Sequence, residues 1–210
     1  MKVRVVKLMN EKKEIFPKVP LYYSIPLFAI CLIALLILVL IFRIEYPVLL
    51  QPVPPGAINV SSCGILNQDG AYYVLNQSFI ISINPCIKIL GNNIVLDGGY
   101  KYIIGELAAP NFIFNAIEAY GNNVTITRLN ISDSGPGLMP YGIYSNGANE
   151  TKIVNNYINN ASFSAIQMYN NYGNRIERNL IYNSSQGIAL ESSYSNIINQ
   201  NLIKGYNSIF

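Results

Sequence analysis

The sequence predicts an all-β solenoid, a right-handed parallel β-helix, preceded by one N-terminal transmembrane α-helix. Three observations carry this reading. Across residues 141–210 one short pattern recurs, with Ile143, Ile166, Ile188 and Ile209 standing 23, 22 and 21 residues apart, a period that marks a stacked repeat fold. Each unit holds runs of three to five residues that alternate apolar and polar, separated by Asn, Gly and Ser. Such runs are strand signals and leave no room for a pair of helices. Finally, residues 21–42 are apolar apart from Ser24, Pro26 and two tyrosines, enough to cross a bilayer as a helix.

Coiling the chain once per repeat stacks three isoleucine columns on parallel strands about 4.8 Å apart. They are Ile143, Ile166, Ile188 and Ile209; Ile126, Ile153, Ile176 and Ile198; and Ile131, Ile158, Ile181 and Ile203. Asn156, Asn179 and Asn201 repeat in step. A buried Asn column satisfies itself when each side chain bonds the amides of the coils above and below. A leucine-rich repeat would need a Leu scaffold that is absent here.

Along the chain, residues 1–20 carry six basic groups against Glu11 and Glu14 and read as a cytoplasmic tail. Residues 21–44 read as an uncleaved signal anchor rather than a cleaved signal peptide. The apolar run is long, and Arg43-Ile44-Glu45-Tyr46-Pro47 follows it with no small-residue cleavage pattern. The basic flank orients the N-terminus toward the cytoplasm and the remainder outside. Residues 45–57, with Pro47, Pro52, Pro54 and Pro55, read as a stalk, because proline neither continues the helix nor joins a central strand. Residues 58–210 form the β-helix domain. Beyond Tyr46 there are seven basic and eight acidic groups, so the net charge of +3 belongs to the tail. The near-neutral domain lacks the basic stripe a nucleic-acid binder needs.

The Gly-Ile…Asn-x-Ile-x-x-Asn-x-Ile rhythm resembles the repeats of pectin-lyase-like and NosD-like parallel β-helix proteins. The run Cys86-Ile-Lys-Ile-Leu-Gly-Asn-Asn-Ile-Val-Leu-Asp97-Gly98-Gly99 resembles the opening rung of archaeal NosD-like surface proteins. The resemblance covers roughly residues 60–210. It implies the fold well and an activity poorly, because this fold carries lyases, hydrolases, epimerases and inert stalks. It also implies a Cys pair at the opening rung. Cys63 and Cys86 lie on the external side of the predicted anchor, where disulfides persist, so a bridge is expected over two free thiols. Cys31 falls in the apolar run. The NosD name is associated with copper delivery, but only Met139 and Met168 would accompany the Cys pair as soft external ligands, and stray methionines are usually packing. No metal and no cofactor is expected.

Residues 58–90 read as a first, irregular coil. Asp97-Gly98-Gly99 closes a strand of the first full rung, and Ile117, Ala119, Val124, Ile126 and Ile131 are core candidates of the next. Residues 133–140 and 106–115 read as longer connections whose loops would flank any binding edge. At Phe210 no polar cap is visible. The expectation is a truncated domain, or an open rung through which the chain self-associates.

The chain has no histidine. That removes Ser-His and Cys-His nucleophile systems, His-ligated metals and histidine-dependent epimerase chemistry. Glycosidases need two carboxylates roughly 5–10 Å apart. The outward column Asp97, Thr127, Val154, Glu177, Asn199 holds two acids three rungs apart, about 14 Å. Its neighbour reads Lys88, Glu118, Tyr144, Gln167, Ala189. Neither offers an acid pair, leaving Asp97 and Asp133, or Asp133 with Glu150, to converge through turns. Tyrosines suit glycan stacking: Tyr120 and Tyr169 share a column two rungs apart with Tyr144 beside them, although aromatics also simply suit strands. Of seven N-x-Ser/Thr sequons, Asn123 and Asn183 near turns are preferred as glycan acceptors. The expected role is a non-enzymatic, membrane-anchored external module that supports structure or binds glycans. The alternatives are a polysaccharide lyase or hydrolase at Asp97/Asp133, and an envelope scaffold assembling through its C-terminal rung.

Overall fold

The computed structural model describes residues 52–105, 114–134 and 139–205, together with the backbone of 207–209. The predicted tail and the anchor at residues 21–44 lie outside these residues, as do most of the stalk and the middles of both long connections. Of the stalk, Pro52 to Ala57 are described; they form no strand and close a turn in which the Ala57 N–H donates to the Pro54 carbonyl at 3.3 Å.

Strand β1 (Ile58–Val60) opens the fold, and six three-strand coils follow. The first is β2 (Gly64–Leu66), β3 (Tyr72–Leu75) and β4 (Phe79–Ile80); the second is β5 (Ile87–Ile89), β6 (Val95–Asp97) and β7 (Tyr102–Gly105). The third is β8 (Ile117–Ala119), β9 (Thr125–Thr127) and β10 (Asn130–Asp133); the fourth is β11 (Tyr141–Asn146), β12 (Lys152–Val154) and β13 (Tyr157–Asn159). The fifth is β14 (Ser164–Tyr169), β15 (Arg175–Glu177) and β16 (Leu180–Tyr182); the sixth is β17 (Gln186–Glu191), β18 (Ile197–Asn199) and β19 (Leu202–Lys204), before β20 (Asn207–Ile209). Every third strand joins the same sheet. Sheet A is β1-β3-β6-β9-β12-β15-β18, sheet B is β2-β5-β8-β11-β14-β17-β20, and sheet C is β4-β7-β10-β13-β16-β19. All named pairings are parallel, and parallel crossovers wind right-handed.

Register is set by which residues must be dry, because a one-residue slip would turn every core side chain outward. Ile117, Ile143, Ile166, Ile188 and Ile209 pair in sheet B. Ile126, Ile153, Ile176 and Ile198 pair in sheet A, and Ile131, Ile158, Ile181 and Ile203 in sheet C. Between the coils these isoleucines are fully buried as far as Ile188. Residues 58–90 depart from the irregular coil expected of them. They hold β1 and a complete first coil in register with the next, Tyr73 occupying the core position that Leu96 holds above it. Tyr73 disguised that column, since its ring is amphipathic and its hydroxyl accepts from the Gln68 N–H at 3.3 Å.

Left-handed residues turn the corners. Arg128, Asn155, Arg178 and Gln200, with φ between 54° and 56°, make the turn from sheet A to sheet C in successive coils. Asn93, Asn123, Glu150 and Ser195, at 52° to 56°, do so from sheet B to sheet A. Short polar side chains tolerate this region best, and six of the thirteen non-glycine residues that adopt it among the described residues are asparagines. Gly121 has a different reason: a Cβ there would sit 1.9 Å from the Gly91 carbonyl oxygen of the coil below.

Asparagine ladders run up the solenoid, among them a buried one and an exposed one. In the buried one, Asn179 Oδ1 accepts from the Asn156 N–H at 3.0 Å and Nδ2 at 3.1 Å, and Asn201 Oδ1 accepts from the same two groups of Asn179 at 2.9 Å. Each Nδ2 also reaches a carbonyl of the preceding coil, Asn156 to Ile126 at 3.0 Å and Asn179 to Ile153 at 2.8 Å. The second ladder lies on the exposed corner between sheets B and A. There the Oδ1 atoms of Asp69, Asn92, Asn122 and Asn149 accept from backbone N–H groups one coil on, at 2.7–2.9 Å. Cys63 and Cys86 form a disulfide between the first and second coils, where the Gly64 N–H also donates to the Cys86 carbonyl at 2.8 Å.

Candidate functional site

Alternation in β8, β11 and β14 sends Glu118, Tyr144 and Gln167 outward from sheet B in one column with Lys88. A second outward column, one pleat along, contains Tyr120, Asn146, Tyr169 and Glu191. The three tyrosines singled out from sequence therefore share one sheet face. Around them the structure adds two rings that sequence reasoning missed. Tyr141 lies 5.2 Å from Tyr144 in a tilted arrangement and 5.7 Å from Phe163 edge to face. Phe163 is 48% exposed. Both stand at the entry to a sheet B strand, beside the corner from sheet C, where the alternation that marked the other tyrosines does not extend.

Glu118 is the polar centre of this face. One carboxylate oxygen accepts from Asn115 Nδ2 and the other from the Tyr120 hydroxyl, both at 2.8 Å. Burial, and then the hydrogen bond and charge of Glu118, push the Tyr120 phenol up to about 12. The Lys88 ammonium lies 5.2 Å from the Tyr120 ring centre, a cation–π contact. Burial raises the Tyr144 phenol as well. The phenols of Tyr120 and Tyr144 keep their protons at neutral pH, so the face offers hydroxyls and apolar rings, with Lys88 offsetting Glu118 and Glu191 exposed further along.

The acidic candidates behave otherwise. Asp97 is fully buried on the outer side of sheet A. It accepts from the Gly99 N–H and from Arg128 Nε, each at 2.9 Å, and also from the Tyr72 hydroxyl and a terminal Arg128 nitrogen. Burial pushes its carboxyl up, but the hydrogen bonds from Arg128, Tyr72 and Gly99 and the guanidinium charge outweigh it and hold the group below the usual carboxylate range. Arg128 and Tyr72 are raised in turn. Asp133 is 1% exposed at the end of β10 and accepts from the Met139 N–H at 3.1 Å. Asp97 ends a sheet A strand and Asp133 ends a sheet C strand, so the span of sheet C separates them. Asp133 and Glu150 flank the two ends of β11, about 20 Å apart along a six-residue strand. No pair of these acids shares a site. Glu177, in the column of Asp97, is 8% exposed and paired with Arg175 at 2.7 Å. The sulfur side chains of Met139 and Met168 are buried in the core. Among the described residues no cluster of three Cys, Asp or Glu stands ready for a metal.

Six coils of three parallel strands around an internal Asn ladder define a β-solenoid. The right handed beta helix region family matches residues 65–209 of the chain, and the protein belongs to that family. No curated protein and no solved structure matches the chain.

Proposed function

We propose that the protein is a NosD-like surface module, anchored by residues 21–44 with its β-helix outside the cell, and that the outer face of sheet B binds glycan. The observation that carries this is the cluster of five rings, Tyr120, Tyr141, Tyr144, Phe163 and Tyr169, on one face with hydrogen-bonding groups set among them. Pyranose rings present apolar C–H faces edged by hydroxyls, and such a surface offers both partners. With Lys88 and Glu118 in balance, a neutral glycan fits better than a polyanion. The Cys63–Cys86 bridge supports an oxidising, external location. A lyase or hydrolase acting through Asp97 would first have to strip the carboxylate of Arg128 and Tyr72, which argues for binding without turnover.

The test is retention of the full chain, in mild detergent, on insoluble neutral polysaccharides, followed by assay of the supernatant for reducing ends and unsaturated sugars. Retention with no product is expected. Product formation that disappears in Asp97→Asn or Asp133→Asn would replace this reading with catalysis.

A further inference from the structure

The seven sequons are not equivalent once folded, and we propose that Asn59 and Asn76 are the acceptors of N-linked glycans. N-glycosylation needs an exposed carboxamide whose Nδ2 is free to attack, followed two residues on by an accessible hydroxyl. In five sequons that nitrogen or that hydroxyl is committed to the fold. Asn123 Nδ2 donates to Asn93 Oδ1 at 2.8 Å, and Asn183 Nδ2 to Asn159 Oδ1 at 3.1 Å. Asn130 Nδ2 donates to the Tyr100 carbonyl at 2.6 Å, and Asn160 Nδ2 to the Asp133 carbonyl at 2.9 Å. Asn149 spends its oxygen on the exposed ladder, and its Thr151 is fully buried. These asparagines sit in the corners and central strands that stack coil on coil.

Asn59 and Asn76 differ. Both are exposed, as are their partners Ser61 and Ser78, and neither carboxamide has a hydrogen-bond partner among the described residues. Ser78 Oγ accepts from the Tyr102 N–H at 3.0 Å, but it acts there only as an acceptor and stays exposed. Their backbones are neighbours across one coil boundary. Asn59 pairs with Val74 in register, and the Asn76 N–H donates to the Val60 carbonyl at 3.2 Å. Both therefore fall at the outermost described end of the solenoid, where β1 pairs on one side only among the described residues. In the transfer, Nδ2 bonds to C1 of the first sugar of a lipid-phosphate-linked oligosaccharide. The C1–O bond to phosphate breaks, its electron pair leaves on the lipid phosphate, and the amide proton passes to a base of the transferase.

The proposal rests on the external location argued above, and the test separates the two. The full chain is isolated from the envelope of the cells that make it, digested without reduction and read by mass spectrometry for glycopeptides and for the Cys63–Cys86 linkage. Sugar on Asn59 and Asn76, with Asn123, Asn130, Asn149, Asn160 and Asn183 bare, is the expected result. Asn59→Gln and Asn76→Gln should each remove one glycan mass from the intact chain, and Asn130→Gln none. A bridged chain bare at Asn59 and Asn76, or one occupied at Asn123 or Asn183 instead, overturns the acceptor assignment. Free thiols together with bare asparagines would bring down the external location as well.

Discussion

The Asp97 carboxylate accepts four hydrogen bonds from groups on three consecutive coils: Tyr72 below, Gly99 in its own coil and Arg128 above. An acid so saturated is a clamp between coils. Its folded-state pKa is depressed, so ionisation favours the fold. The stabilisation is complete above the unfolded value of about 4 and fades as pH falls through the still lower folded value. Asp97→Asn keeps the shape but leaves the Arg128 guanidinium, 9% exposed, without its counter-charge, a loss of about 3 kcal/mol at pH 7. Denaturant unfolding at pH 7 and near pH 2.5 checks this: the gap between wild type and variant should shrink at the acid end, and a gap unchanged by pH would remove the clamp. The register column containing Asp97 was legible in the sequence. Its burial was not, because Arg128 occupies a left-handed corner, where no alternation shows which way a side chain turns.

At the scale of elements, single strands of three residues cannot hold themselves together, and the ladders at the corners keep them in step. Asn179 is the most engaged rung: its oxygen accepts from Asn156 and its amide donates to the coil before and the coil after. Asn179→Ala strands several of these groups in a dry corner, at a cost of about 3 kcal/mol. Asn199→Ala, exposed one pleat away, should change stability by less than about 0.5 kcal/mol. The urea midpoints of the two variants decide this, and equal midpoints would mean the ladder is passive. This ladder was readable because its residues repeat every 22 or 23 positions. The exposed ladder repeats less evenly, its bonds spanning 23, 30, 27 and 23 residues. The third and fourth coils are lengthened by their connections, and a fixed period does not find Asp69, Asn92, Asn122 and Asn149. Tyr73 hid the first coil for a related reason, since the eye follows isoleucine and the core there is built on a phenol.

Over the molecule as a whole, the three sheets share one core pattern and differ in what they turn outward. Sheet A presents Lys152 and Arg175 beside the Asp97 clamp, while sheet C presents Tyr102, Leu180 and Leu202, each over 40% exposed. Only sheet B, among the described residues, combines clustered rings with a carboxylate and an ammonium held in fixed geometry. The two long connections lead into its strands β8 and β11. Coil geometry followed from the sequence because stacking repeats it. The ring-bearing face did so in part: the Tyr120, Tyr144 and Tyr169 columns came from the period of two, whereas Tyr141 and Phe163 needed the corner geometry. The most direct measurement is the affinity of the full chain for the neutral glycan that retains it, comparing Tyr144→Ala with Tyr102→Ala on sheet C. Loss of one stacked ring is worth about 1 kcal/mol. The account predicts roughly fivefold weaker binding for Tyr144→Ala and none lost for Tyr102→Ala. Equal affinities in the two variants, or loss only in Tyr102→Ala, would contradict it.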